Sequence, residues 1–185
     1  MVNQISNLDT ITLAEALGQV KALYQGLDAE IDFHKPRCVA SGRCCHFEAY
    51  GHRLYATRLE LEYFRTVEMT PPVQPAGAEP PPEAQKQAPN HTSNFPLPLL
   101  TDSGEITPGC PWQVNELCTA RTGRPLGCRI YFCDRASTHW QNNAYERYHR
   151  LLKILHDKAG LPYAYMEWRS GLGTLLSTPP PKENR

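Results

Sequence analysis

The cysteines of this chain fall into two groups, and this grouping constrains the fold more than any other feature of the sequence. One group lies in RCVASGRCCHF and the other in CPWQVNELCTARTGRPLGCRIYFC. Glycine, proline, serine and arginine are frequent in these two stretches, and such sequence forms loops whose backbone turns sharply. Loops of this kind can aim several sulfur atoms at one place. The two stretches therefore predict a site built from thiols.

All the cysteines are candidate ligands, and two histidines stand beside the stretches. His46 follows the cysteine pair and His139 follows the second stretch, so these are the histidines best placed to complete a coordination shell. Neighbouring arginines are expected to favour thiolate over thiol and to donate hydrogen bonds to sulfur: Arg37, Arg43, Arg121, Arg124 and Arg129. The candidate cofactor-binding and metal-binding cysteines are Cys38, Cys44, Cys45, Cys110, Cys118, Cys128 and Cys133.

The adjacent cysteines, Cys44 and Cys45, form a pair whose side chains are expected to point different ways. One of them would then bind the metal while the other packs, or each would serve a separate metal. Both alternatives leave four or more thiols for the centre. No catalytic residue is assigned by the sequence.

The chemistry of the ligands limits which metals can bind. Thiolates are soft ligands that suit zinc, Cu(I) or iron–sulfur clusters, whereas magnesium and calcium need converging carboxylates. A zinc ribbon usually contains two C-x-x-C pairs, and the sequence has none. A Cys-Pro pair and irregular spacing are familiar among cluster ligands. The expected cofactor is therefore an iron–sulfur cluster or zinc, with a preference for the cluster.

Composition and charge exclude other classes of partner. Lysine plus arginine number 19 and aspartate plus glutamate number 19, so no overall field favours nucleic acid or an anionic membrane. The first residues lack the pattern of a secretory signal, and no apolar segment approaches the roughly 20 residues of a membrane span. We therefore expect a cytoplasmic protein, in which reduced thiols act as ligands rather than as disulfides. A protein partner cannot be named.

Hydrophobic periodicity and capping patterns predict a mainly α fold, a small irregular helical domain with cysteine-rich metal-binding loops. Apolar residues recur at helical spacing after Thr12 and again after Thr57, and each threonine begins a capping box. A third helix is predicted over Thr138–Lys158, ending before Gly160. The aromatic run PYAYMEW fits either a strand or a short helix.

The chain is expected to form one domain over residues 1–178. A proline-rich insertion at about residues 71–98 interrupts this domain, because proline cannot continue a helix or a sheet ladder. Residues 179–185 are expected to be a disordered tail.

The second stretch resembles a known family. In the YkgJ-like family of zinc- or iron-chelating cysteine-cluster domains, which includes the flagellin lysine N-methylases, Cys-Pro-aromatic is followed by Cys and then by Arg-Pro-x-x-Cys-Arg. Here those positions read Cys110-Pro111-Trp112, Cys118 and Arg124-Pro125-Leu126-Gly127-Cys128-Arg129.

The first stretch is similar to the C-x-x-C-x-x-C-C box of the same family. Cys38, Cys44 and Cys45 are in register with that box, but Ser41 stands where the family has another cysteine. Cys133, which falls where many relatives have a Phe-Pro step, is a candidate to replace the missing thiol.

The resemblance implies a compact helical domain whose cysteine loops converge on zinc or an iron–sulfur centre, without defining a reaction. Two alternatives to a metal-binding protein remain open. One is an iron–sulfur-dependent or metal-dependent enzyme related to protein lysine N-methylases, although no G-x-G-x-x-G fingerprint supports a nucleotide site. The other is thiol redox chemistry without metal, which lacks a C-x-x-C motif.

Overall fold

The computed structural model describes residues 10–38, 42–68, 109–115 and 117–177, and this part of the chain is mainly helical, as the sequence predicts. The predicted insertion at 71–98 and the predicted tail at 179–185 lie outside the described residues. No helix of the described part has the length and apolar character needed to cross a membrane. The α-helices are α1 (Leu13–His34), α2 (Phe47–Tyr50), α3 (Arg58–Val67), α4 (Leu126–Ile130), α5 (Thr138–Lys158) and α6 (Trp168–Ser177). The strands are β1 (Tyr55–Thr57), β2 (Gln113–Val114), β3 (Leu117–Cys118) and β4 (Tyr165–Glu167).

Two capping boxes begin helices α1 and α3, as predicted. The Glu15 backbone N–H donates to Thr12 Oγ1 at 3.2 Å, and the Thr12 N–H donates to the Glu15 carboxylate at 2.8 Å. Thr57 and Glu60 make the same reciprocal pair at 3.3 and 2.7 Å. Each pair satisfies backbone donors that a helix N-terminus leaves without a partner, so it fixes where the helix begins.

Helices α1, α3, α4 and α5 share one hydrophobic core. The predicted third helix is confirmed at Thr138–Lys158, and Gly160 follows it with a left-handed φ of 60°. Apolar side chains of α1 and α5 face each other at helical spacing and bury one continuous cluster. The buried members are Ala16, Val20, Tyr24, Leu27, Leu59, Tyr63, Leu126, Ile130, Ala144, Tyr148, Leu152 and Leu155.

The aromatic run near residue 165 forms a strand and then a helix. Strand β4 pairs antiparallel with β1, with Tyr55 opposite Glu167 and Thr57 opposite Tyr165. The Trp168 N–H donates to the Leu54 carbonyl at 2.8 Å, directly where α6 begins. The sequence left a strand and a short helix open for this run, and the chain forms the strand first and then begins the helix.

A second hydrophobic cluster connects this small sheet to the cysteines. The Phe64 ring meets Trp112 and Trp168 edge to face, with centroids 4.6 and 4.8 Å apart. Such pairs stabilise a core beyond the area they bury. The buried members are Cys45, Phe47, Ala56, Leu61, Phe64, Cys110, Trp112, Ala120, Trp168 and Leu172.

Candidate metal centre

A tight turn presents the first pair of cysteines. Gly42 has a left-handed φ of 68° and precedes a single 3-10 turn, Arg43–Cys45. The Cys45 N–H closes this turn on the Gly42 carbonyl at 2.9 Å. The turn brings Cys44 Sγ to 3.9 Å from Cys45 Sγ, so the expectation that the two side chains point apart is wrong.

The backbone of Gly109 and Cys110 lies directly against Cys45. The Cys110 N–H donates to the Cys45 carbonyl at 2.9 Å. Gly109 has a φ of 96°, and a Cβ at this position would lie 2.6 Å from the same carbonyl oxygen. Only glycine tolerates both the conformation and the close approach. This glycine therefore allows the second cysteine stretch to join the first.

A short hairpin carries Cys118. Strands β2 and β3 pair with Gln113 opposite Cys118, and Asn115 has a φ of 49° in the connection between them. The hairpin is held to the core because Thr119 donates from its N–H and its hydroxyl to the carbonyl of the buried Trp112, at 2.9 and 2.7 Å. Gln113 also donates from its side chain to the Gly42 carbonyl at 3.1 Å. The hairpin is thus joined to the first cysteine turn.

The buried carboxylate of Glu60 positions the helix that carries Cys128. Glu60 is 2% exposed, and its Oε1 accepts from the Leu126 N–H at 2.7 Å, at the first residue of α4. The same oxygen accepts from the Tyr24 hydroxyl at 2.9 Å, while Oε2 accepts from Thr57. One carboxylate therefore joins α1, α3 and the N-terminus of α4, where negative charge is favourable.

Arg129 holds the loop between Cys118 and Cys128 and does not act on sulfur as predicted. Its guanidinium donates to both carboxylate oxygens of Asp28 at 2.9 Å, and its Nε donates to the Arg124 carbonyl at 2.9 Å. It also donates to the Thr122 carbonyl and lies over the Tyr24 ring at 4.2 Å. Arginine suits this role because its planar fork reaches several acceptors at once.

The sulfur atoms of three cysteines meet around that of Cys45. Hydrogen bonding with Cys110, Cys118 and Cys44, together with burial, raises the pKa of the Cys45 thiol far above its ordinary value. The Cys45 thiol is therefore held in its protonated form. A thiol has one hydrogen to donate, so it cannot satisfy three neighbouring sulfurs together.

The neighbours of Cys45 are correspondingly shifted toward thiolate. The hydrogen bond with Cys45 lowers the pKa of Cys118 to about 6 and that of Cys44 to about 7, and it also lowers the pKa of Cys110. Burial opposes each shift. Arg124 assists at Cys44 and Cys118, which confirms one of the predicted arginine effects.

Cys128 adjoins this group from α4. Burial raises the pKa of its thiol, and the negative charge of Cys110, Cys44 and Cys118 raises it further. These three sulfurs are therefore close enough to act on Cys128 electrostatically. The thiols that the structure brings together are Cys44, Cys45, Cys110, Cys118 and Cys128, which we call the sulfur cluster.

Four further predicted residues are not among these five thiols. Cys38 and Cys133 are exposed, and Cys133 neighbours the Tyr131 hydroxyl. His46 ends the 3-10 turn that carries the cysteine pair, and the exposed His139 bonds to Asn143 at 3.0 Å. Across the described ranges, no three or more Cys, His, Asp or Glu side chains are arranged to hold a metal ion as they stand.

His52 lies beside the sulfur cluster, and sequence reasoning missed it. Its Nε2 is 3.4 Å from the Cys44 carbonyl oxygen, and its ring packs edge to face on Phe47. His52 is seven residues from the nearest cysteine in the sequence, so its position beside the thiols could not be inferred from sequence spacing. The turn at Gly51, with a φ of 63°, returns the chain toward Cys44.

No family model matches the chain, and no similar curated protein or solved structure was found. The resemblance to the cysteine-cluster family therefore stays a prediction that depends on the residues quoted for it.

Proposed function

We propose that this protein binds zinc or an iron–sulfur cluster through the sulfur cluster. One observation carries the proposal: thiols from three segments lie together, namely Cys44 and Cys45 in the turn, Cys110 and Cys118 in the loop and hairpin, and Cys128 at helix α4. Thiolate is a ligand for soft and borderline metals. Zinc and the common iron–sulfur clusters each need about four ligands, so five thiols are sufficient.

The spacing of the first two sulfurs is compatible with this chemistry. Four sulfurs at about 2.3 Å from a tetrahedral zinc ion lie about 3.8 Å from one another. Cys44 Sγ and Cys45 Sγ are 3.9 Å apart. The same distance also suits a hydrogen bond between sulfurs, so metal binding requires that the ligating thiols that are still protonated lose their protons and that the sulfurs close around the ion.

Electrostatics favours a cation in this place. Cys110 is buried, and Cys44 and Cys118 are half-buried, while all three have a lowered pKa. Several thiolates held close together repel each other, and burial increases the cost. A bound cation removes this repulsion. It also joins the segments that carry the ligands, so binding energy becomes folding energy.

Each possible centre would supply a different chemistry. Zinc would act as a structural cross-link or as a Lewis acid, and an iron–sulfur cluster would accept and donate electrons. The residues of this chain supply the ligands and their positions in both cases. Arg124 adds positive charge that favours the thiolate form of Cys118 and Cys44.

Metal analysis of anaerobically purified protein tests the proposal. Zinc, iron and acid-labile sulfide should be measured on the same sample, with visible absorption and EPR spectra of oxidised and reduced protein. We expect stoichiometric zinc in colourless protein, or iron and sulfide with visible absorption. Folded protein that holds neither after reconstitution would refute the proposal.

Serine substitutions locate the ligands. The double variant Cys110→Ser/Cys118→Ser should lose metal, because it leaves three thiols in the sulfur cluster and a hydroxyl is a poor ligand for a soft metal. Cys133→Ser is the matched control, since Cys133 is exposed and outside the sulfur cluster. It should retain the metal content of the parent. Circular dichroism establishes that each variant is folded, and equal metal content in the double variant and the parent would contradict the assignment.

A further inference from the structure

Trp168, the first residue of α6, is buried in the second hydrophobic cluster together with Cys110. It is 2% exposed, and its ring meets Phe64 edge to face at 4.8 Å between centroids. Its backbone N–H donates to the Leu54 carbonyl at 2.8 Å. The position of the indole is therefore fixed through its ring and through its backbone.

Helix α6 packs closely against the core one turn after Trp168. A Cβ at Gly171 would lie 2.6 Å from Leu61 Cδ1 on α3 and 3.1 Å from Met166 Cγ on β4. A glycine at this position lets α6 approach both elements. This approach restrains the helix that carries the indole.

The indole N–H of Trp168 is a buried donor that needs an acceptor. Indole nitrogen donates a hydrogen bond and does not accept one. Within the described ranges of the chain, no nitrogen or oxygen atom accepts from Trp168 Nε1. A buried donor without an acceptor destabilises a protein, so a sulfur acceptor nearby is favourable.

The Cys110 sulfur is this acceptor. The hydrogen bond with the Cys45 thiol lowers the pKa of the Cys110 thiol most, and burial opposes the shift. Hydrogen bonds from the Trp112 backbone and the Trp168 side chain lower this pKa further. The Trp168 indole is thus directed at a sulfur that we assign to the metal centre.

Metal binding affects the donors at Cys110 differently. A thiol that binds a metal loses its proton, so Cys45 stops donating to Cys110 when both are ligands. Indole and backbone N–H groups keep their hydrogens when the metal binds. The Trp168 donor therefore remains on the sulfur in the metal-bound protein.

The charge of the bound centre gives this donor a role. A centre held by four thiolates keeps a net negative charge, because the thiolate charges outnumber those of Zn²⁺ or of an iron–sulfur core. Hydrogen bonds to ligand atoms tune the affinity for the metal and the reduction potential of a cluster. Such a bond is electrostatically stronger in a buried, apolar setting than in water.

We propose that Trp168 is a positioning residue of the metal centre, whose indole N–H donates to the Cys110 sulfur and stabilises the negative charge of the bound centre. The inference rests on the proposed function, since the charge to be stabilised is that of a metal bound by thiolates. It adds a fourth segment to the centre, because α6 contains no cysteine.

Two substitutions at position 168 test this role in the metal-loaded protein. Trp168→Phe removes the N–H together with part of the ring. Benzothienylalanine, introduced at position 168 by nonsense suppression, keeps the shape of the indole but has sulfur in place of the N–H. The same two changes at Trp140 are the matched control. The Trp140 indole also has no nitrogen or oxygen acceptor in the described part of the chain, but it packs against His34 and the first hydrophobic cluster.

The expected result depends on the metal. If the centre holds zinc, both variants at position 168 should bind Zn²⁺ about tenfold more weakly than the parent in competition with a chelator, as for the loss of a hydrogen bond to a charged group. If it holds an iron–sulfur cluster, the midpoint potential should become more negative, because reduction adds negative charge that the lost donor no longer stabilises. The Trp140 variants should match the parent.

The outcomes separate this inference from the proposed function. If the benzothienylalanine variant at position 168 keeps the Zn²⁺ affinity or midpoint potential of the parent, the inference is overturned, while the metal content of the parent still supports the metal centre. An equal shift in the Trp140 variants also overturns it. Parent protein that takes up no metal refutes the proposed function and this role together. If Trp168→Phe does not fold, the benzothienylalanine variant decides, because it retains the shape of the ring.

Discussion

Glu60 Oε1 accepts a hydrogen bond from the backbone N–H of Leu126 at 2.7 Å, across 66 positions of sequence. The same carboxylate caps α3 through the Thr57 N–H at 2.7 Å. A residue that begins one helix therefore also holds the start of the helix that carries Cys128. This dual contact makes the position of Cys128 depend on a side chain outside the sulfur cluster.

Replacing Glu60 by glutamine should destabilise the protein. Both carboxylate oxygens accept from N–H or O–H donors, and an amide would place its NH₂ group against one of those donors. We expect the free energy of unfolding in urea to fall by about 1–3 kcal/mol, the cost of a buried donor left without an acceptor. Glu146→Gln is the control, because Glu146 is exposed. Equal urea unfolding midpoints for the two variants would show that the Glu60 hydrogen bonds contribute little to stability.

Replacing Gly109 by alanine should separate the two cysteine stretches. The added Cβ would lie 2.6 Å from the Cys45 carbonyl oxygen, and the φ of 96° disfavours any side chain. We expect a marked loss of metal content together with lower thermal stability. Gly160→Ala is a matched control, since Gly160 also has a positive φ, of 60°, but has nothing within 4 Å of an added Cβ.

The control separates the cost of backbone strain from the cost of the clash between the added Cβ and the Cys45 carbonyl oxygen. Left-handed backbone costs about 1–2 kcal/mol for a residue with a side chain, and both alanines incur it. Only Gly109→Ala should also lose metal, as measured by elemental analysis. If the two alanine variants lose stability equally and both retain metal, the close approach of Gly109 to Cys45 does not matter for the centre.

Arg129→Lys should weaken the fold although it conserves charge. Lysine is a single point charge and cannot reach the Asp28 carboxylate and the carbonyls of Arg124 and Thr122 together. We expect a loss of about 1–3 kcal/mol in unfolding free energy, as for broken hydrogen bonds to a charged group. Arg150→Lys, at an exposed position, should change stability little. Equal stability of Arg129→Lys and the parent would contradict the assigned role.

Acid should destabilise the protein through His156. This residue is fully buried, its Nε2 accepts from the Leu59 N–H at 3.3 Å, and burial lowers its pKa. The unfolded chain therefore takes up this proton before the folded one does. The contribution to stability is complete above the unfolded pKa of about 6.5 and is lost as pH falls toward the folded pKa.

The measurement compares unfolding free energies at several pH values between 7.5 and 5, as a linkage experiment requires. His156→Gln should lose less stability on acidification than the parent, by up to about 1.4 kcal/mol per pH unit for one proton. Metal-free protein is used for both, so that thiol ligation does not contribute. His139→Gln, at an exposed position, should follow the parent. If the unfolding free energies of the parent and His156→Gln fall in parallel as pH is lowered, the buried His156 does not cause the loss of stability in acid.

Local signals explain why much of the fold was predictable. The capping boxes at Thr12 and Thr57, and the glycine after Lys158, act within a few residues, so the helix positions could be inferred from sequence. The pairing of β1 with β4 could not, because its register depends on contacts between residues more than a hundred positions apart. Short strands of this kind carry little signal of their own.

The candidate site was predictable in its chemistry and less so in its geometry. Grouped cysteines identified five thiols that meet, but nothing in their spacing separates them from Cys38 and Cys133, which are exposed. Arg129 was expected to act on sulfur, yet its neighbours in space are Asp28 and two backbone carbonyls, which tertiary packing alone determines.

The pairing of β1 with β4 has a consequence for the order of assembly during translation. Strand β1 ends at Thr57, and its partner begins only at Tyr165. All the thiols of the sulfur cluster, the last of which is Cys128, are therefore synthesised while β1 still lacks a partner and presents unpaired backbone groups. A metal captured by the nascent chain would draw the earlier segments together before β4 pairs with β1. The supply of the cofactor during translation would then affect how the chain folds.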